Sequence, residues 1–161
     1  MTTGSNHGGA ARWEKNMSQS LPAETDLAPD AIEVLGLAEC HRLLSATSVG
    51  CMGLPTSGAP ELRPVNFVLD EGAIVFRTGA GKILEAGRCG LPASLQAFAI
   101  EPLEHTGWSV MVSGKLSELP TNERTLRLPL RPWASGKKDS FVRLSMRHIS
   151  GVRIQPGRGN R

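Results

Sequence analysis

Residues 64–82 read PVNFVLDEGAIVFRTGAGK, and this stretch decides the fold. Val65, Phe67 and Leu69 alternate with Asn66 and Asp70, the period-two pattern of a strand with one apolar face. Asp70-Glu71-Gly72 supplies turn residues, and Ala73–Thr78 is a second apolar, β-branched run, so the pair reads as a hairpin. Past Thr78 a glycine-rich turn leads to Lys82.

The same alternation recurs on either side of the hairpin. Ser48–Leu54 precedes it, and Ala93–Ile100 and Trp108–Leu119 follow, bounded by Gly or Pro. In the last of these, Val110, Val112, Gly114 and Leu116 alternate with Met111, Ser113, Lys115 and Ser117. Phe141–Leu144 and Ser150–Ile154 read as shorter strand pieces. Helices are few. Leu37–Ala46 places Leu37, Cys40, Leu43 and Leu44 on one face, residues 81–87 hold one or two turns, and Thr121–Leu128 starts with Thr121 as N-cap. Short strands with dense turns predict a mainly β protein: a six-stranded antiparallel barrel with a few short helices.

The chain has 161 residues, 40% apolar and 20% charged, which suits one domain with its own core. Residues 1–28 are aperiodic and rich in Gly, Ser, Thr and Pro, so they read as a disordered arm in which Met17 offers a second translation start. The domain then runs from 29 to 156, and 157–161 is a solvated basic tail. No apolar run approaches the roughly 18 residues of a membrane span, and no secretory block opens the chain. The expected location is the cytoplasm. Cys40, Cys51 and Cys89 are too few and too scattered for a disulfide framework.

Charge is unevenly placed. Residues 1–123 carry 8 Lys/Arg against 14 Asp/Glu, whereas residues 124–161 carry 10 against the single Asp139. The basic residues are spaced out and aromatic partners are scarce, which argues against nucleic acid. An anionic small ligand or a self-complementary dimer accounts for the split.

No zinc-protease, nucleophile-elbow, phosphate-loop or dinucleotide-binding motif occurs. The four histidines lack metal-ligand spacing, so no metal site is expected. Cys40 and His41 are adjacent on a helix and point to different faces, which makes Cys40 a core residue. Glu101 and Glu104 read as a solvated rim. Arg77, Thr78, the flexible turn and Lys82 together supply fork donors, a hydroxyl, exposed N–H groups and a point charge, the groups that hold a phosphate. An exposed hairpin with an ordinary turn is the other reading, and the residues alone leave both open. Trp108 opens a strand and Trp133 sits in a basic loop, in a chain with only three tryptophans.

Taken in order, EVLGLAECHRLLSATSVG, PVNFVLDEGAIVFRTGAGK, FAIEPLEHTGWSVMVSGKL, RPWASG and HISGVRI resemble the pyridoxamine 5′-phosphate oxidase-like family, in its small actinobacterial-type branch, over about Ile32–Ile154. The resemblance implies a six-stranded split barrel that forms a homodimer and binds FMN between the subunits, with some relatives using the deazaflavin F420 or haem. It places Pro64, Val65, Asn66 and Phe67 along the flavin ring, and Arg77, Thr78 and Lys82 on the phosphate. Trp108 and Ser109 come from the strand that contacts ring or phosphate, in the same or the partner subunit. Three positions depart from the family. Its lysine stands one residue later, where this chain has Ile83, its F-E-V-D reads F-A-I-E here, and Cys51 replaces a frequent Arg. The implied function is an FMN-dependent oxidoreductase acting on a small molecule. The alternative is a non-catalytic module that carries flavin, F420 or haem.

Overall fold

The computed structural model describes residues 32–133 and 135–155; the predicted arm with Met17 and the predicted tail lie outside them. Eight strands run in the order β1 (Ile32–Val34), β2 (Val49–Leu54), β3 (Glu61–Asp70), β4 (Ala73–Thr78), β5 (Pro92–Glu101), β6 (Thr106–Leu119), β7 (Ser140–Ser145) and β8 (His148–Ile154). The helices are α1 (Leu37–Ser45), α2 (Lys82–Arg88) and α3 (Glu123–Leu126). β6, β5, β2, β3, β4 and β7 pair in that order, and β7 returns to β6, closing a six-stranded antiparallel barrel. β8 adds to β6, and β1 to β8, outside that ring.

The hairpin of residues 64–82 forms as its sequence predicts. Phe67 pairs with Phe76 and Asp70 with Ala73, and the turn takes positive φ at Glu71 (46°) and Gly72 (70°). Phe67, Ile74, Phe76, Met52, Leu95, Val110, Val112, Leu116 and Leu144 fill the barrel, each fully buried. At about 1.5–3 kcal/mol per large side chain, this interior is the main stabilising element.

Closure depends on β6, whose early residues pair with β5 and β8 while Leu116–Leu119 pair with β7. The strand changes partners at Gly114, where a Cβ would fall 1.8 Å from the Ser145 carbonyl oxygen. Only glycine allows that approach.

Two details differ from the helix predictions. Leu37 is 64% exposed, because Leu35, just ahead of α1, takes the buried place and lies with Cys40 against Gly151 of β8. α3 is shorter than predicted, and its N-cap is Asn122 rather than Thr121. Asn122 Oδ1 accepts the Thr125 N–H at 3.1 Å and the Thr125 hydroxyl accepts the Asn122 N–H at 3.0 Å, while Thr121 donates instead to the Asp139 carbonyl. Ending α3 at Leu126 frees Leu128 and Leu130 to pack on Val75 and Phe141, a second small core on the outside of β4 and β7. β1 had no period long enough to announce it. Three residues pair with β8, and Arg153 of β8 binds Glu33 of β1 at 3.1 Å and Glu39 of α1 at 2.5 Å.

Candidate functional site

β3 serves two neighbours in succession. Residues 61–66 pair with β2, and residues 67–70 pair with β4. Past the Phe67–Phe76 pair the two strands of the hairpin therefore part, and Asn66 and Arg77 stand on either side of the opening. Arg77 and Thr78 continue along β7 alone, opposite Phe141 and Ser140.

Side chains of paired residues share a face of a sheet. Phe67 and Val65 point into the barrel, and Asn66 and Pro64 point outward. Arg77 also points outward. Its Nε donates to the Lys138 carbonyl at 2.7 Å, and its guanidinium lies 5.6 Å from the centre of the Phe141 ring. The main chain at Lys137 comes so close that a Cβ on Gly79 would sit 2.4 Å from its carbonyl oxygen. Both anchors hold the guanidinium on one side, and its terminal nitrogens have no hydrogen-bond partner among the described residues, so they can act as a fork of donors.

Asn66 is fixed from the other side. Its Oδ1 accepts the Trp133 backbone N–H at 2.9 Å, so its amide NH2 remains a donor. The loop that carries Trp133 roofs a cleft of about 210 Å³ lined by Ser48, Asn66, Phe67, Leu130, Arg131 and Trp133. Trp133 itself is 78% exposed. Arg131 and Trp133 were legible only as a basic aromatic loop; the bond from Trp133 to Asn66 spans 67 positions of sequence.

The remaining candidates divide. Thr78 faces away from Arg77, and its hydroxyl donates to the neighbouring Gly79 carbonyl at 3.2 Å. Lys82 opens α2, and its Nζ is hydrogen-bonded to Glu61 at the start of β3. Trp108 and Ser109 are consecutive in β6 and so point to opposite faces. Trp108 packs on the barrel core, while Ser109 is on the outer face and accepts from Gln96 Nε2 at 2.7 Å.

The outer face holding Pro64, Asn66 and Ser109 is continuous. Pro64, Cys51, Gln96, Met111 and Ser150 form one row across five strands. Phe98, Ser109, Val152 and Val34 form the next, and Ile100, Gly107 and Ile154 the one beyond. Ile100 is 68% exposed, Phe98 50% and Met111 47%, and Val34, Val152 and Ile154 are exposed beside them. Along this face Ser109 is three strands from Asn66, about 14 Å at the usual strand spacing. One chain thus presents Asn66 with Arg77, and Ser109 with Gln96, as two separate groups of polar atoms beside an apolar field.

Among the described residues no cluster of His, Cys, Asp and Glu has the arrangement to hold a metal ion. Burial pushes the Cys40 thiol up from its ordinary value. Hydrogen bonds from Lys82 and then Arg63 hold the Glu61 carboxyl below its usual range. No helix among the described residues is long and apolar enough to cross a membrane.

A family model described as pyridoxamine 5′-phosphate oxidase matches residues 37–156, and the chain belongs to that family. An uncharacterized protein of Mycobacterium tuberculosis is 30% identical over 142 residues, 84% of this chain and 93% of that one. The solved structure of an FAD binding protein from Mycobacterium smegmatis is 27% identical, covers 78% of this chain and 100% of its own, and superposes with a TM-score of 0.63. An FAD-binding protein from Mesorhizobium loti, at 21% identity, 78% and 98% coverage and a TM-score of 0.66, shares the fold.

Proposed function

We propose that this chain is a homodimeric flavin-binding oxidoreductase whose cofactor, FMN, lies between two subunits on the outer face of β2, β3, β5 and β6. One observation carries the reading. Anchored donors (the Arg77 fork and the Asn66 amide) flank the opening between β3 and β4, and Asn66 lies on the outer face that also exposes Phe98, Ile100 and Met111. A phosphate needs the fork, and a flat ring rich in carbonyl and imine acceptors needs amide donors and an apolar surface. The residues fit such a group in part. Arg77, Asn66, Pro64 and Ser109 point outward, whereas Lys82 is engaged by Glu61 and Thr78 faces the other way.

When bound, a flavin supplies reversible two-electron transfer at its own ring. The chain's part is to bind and orient. Arg77 neutralises phosphate charge, Asn66 donates to the ring's polar edge, and Phe67 supports β3 from inside the barrel. The second copy brings the Ser109–Gln96 group across the interface, since one chain keeps it about 14 Å from Asn66. It also covers the contiguous exposed apolar residues Phe98, Ile100 and Met111. The M. smegmatis relative, described as an FAD binding protein, fits the same chemistry, because FAD contains the ring and phosphate of FMN.

The absorption spectrum of the purified protein, before and after addition of FMN, tests this. The expected result is a protein-bound flavin spectrum that bleaches on two-electron reduction by a nicotinamide and returns in air. A haem or deazaflavin spectrum, or no retained chromophore with FMN in excess, overturns it.

A further inference from the structure

β3 opens on Glu61, a partly exposed carboxylate flanked by two cations. Lys82 Nζ is hydrogen-bonded to Oε2 and Arg63 to Oε1. The Lys82 side chain comes from α2, on the far side of the turn that follows Thr78. Moving a residue by one position turns its side chain by about 100° around a helix. Position 83 here is Ile83, which packs on the barrel core, so the lysine at position 82 is turned elsewhere, onto Glu61.

An ammonium group is a compact charge that binds its anion at one point. While it rests on Glu61, one of its three N–H donors is engaged and its charge is partly offset. A phosphate that reached Lys82, five positions beyond Arg77 across the glycine-rich turn, would find that cation already paired with Glu61. Arg63 stays on Glu61 if Lys82 leaves, so releasing the lysine does not strand the carboxylate. Lys82 and Arg63 both keep about half of their side chains in solvent, which lets the exchange proceed without burying a bare charge.

We infer that Glu61 is a specificity-determining positioning residue: by holding Lys82 it sets how strongly the chain prefers a phosphate-bearing ligand over the same ligand without phosphate. The inference rests on the flavin-phosphate reading of the Arg77 side. It concerns a residue that contacts Lys82 and neither ring nor phosphate.

Fluorescence titrations with FMN and with riboflavin, on the full chain, read the preference directly. The variants are Glu61→Gln, Lys82→Ala and the two combined, with Glu61→Ala as a second removal of the charge if the glutamine variant does not fold. Glu61→Gln should tighten FMN about two- to fivefold, the scale of one exposed ion pair released, and leave riboflavin unchanged. In the Lys82→Ala background the gain should vanish, which a merely structural role for Glu61 would not produce. An unchanged FMN-to-riboflavin ratio in a folded Glu61 variant, with Arg77→Ala still weakening FMN, overturns the inference and leaves the flavin reading standing. If neither flavin binds the wild-type chain, calorimetric titration with inorganic phosphate decides. Tighter phosphate in Glu61→Gln keeps the role of Glu61 and removes the flavin, and equal phosphate removes both.

Discussion

Trp133 and Asn66, 67 positions apart, are joined by a hydrogen bond of 2.9 Å from the Trp133 backbone N–H to the Asn66 side-chain carbonyl. Because a backbone N–H can only donate, the bond fixes which way the Asn66 amide points. Its NH2 is left as the donor, and the roof of the cleft is tied to the floor.

Two substitutions separate these roles. Asn66→Asp keeps the acceptor for Trp133 but replaces the donor by an oxygen. Its thermal stability should stay within about 0.5 kcal/mol of wild type, while flavin affinity falls about tenfold or more. Asn66→Ala should lose about 0.5–1.5 kcal/mol as well, since the tie itself is gone. Chemical denaturation and flavin titration of both variants check this.

Arg77 carries the phosphate in this account. Arg77→Ala should weaken FMN about ten- to hundred-fold, the effect of losing a charge-assisted contact of roughly 1.5–3 kcal/mol. Riboflavin should lose far less. Equal losses for the two ligands would mean that Arg77 acts through its stack on Phe141 and its bond to Lys138, as a structural residue only.

Much of this architecture was legible in residue order. The alternation of Val65, Phe67 and Leu69 and the Asp70-Glu71-Gly72 turn fixed a hairpin because period and turn chemistry agree there. What stayed hidden depends on contacts between distant segments. Nothing near Asn66 indicates that Trp133 reaches it, and nothing near Lys82 indicates that Glu61 takes its charge. β1 escaped because three residues cannot show a period, and its place is set by pairing with β8 and by Arg153. Thr121 looked like the cap of α3 as well as Asn122 did, and the reciprocal bond with Thr125 decides between them.

Gly114 is the position where the barrel closes. Gly114→Ala puts a methyl group into the Ser145 carbonyl and should cost at least about 3 kcal/mol, by forcing β6 and β7 apart. A melting temperature within a few degrees of wild type would show that the crossing tolerates a side chain.

The apolar field predicts its own partner. Ile100→Asp places a charge among Phe98, Val152 and Ile154 without touching the barrel interior. The expected outcome is a folded monomer with weakened flavin binding. A dimer of wild-type stability would locate the interface elsewhere.

Glu39 supplies a pH dependence. Hydrogen bonds from Arg42 and then Arg153 outweigh the opposing effect of burial and bring its carboxyl from 4.5 to about 2. A carboxylate whose pKa is lowered on folding stabilises the fold above its unfolded value and loses that contribution as pH falls through the folded one. The difference in melting temperature between wild type and Glu39→Gln should thus be full near neutral pH and shrink between pH 4.5 and about 2. A difference that grows on acidification would contradict the clasp of α1, β1 and β8.

Sedimentation velocity of the purified chain with one equivalent of FMN, followed by protein and flavin absorbance together, tests the central claim most directly. The account predicts one boundary in which flavin travels with a particle of twice the 17.2 kDa chain mass. Flavin left at the meniscus above a sedimenting 17.2 kDa monomer would contradict it.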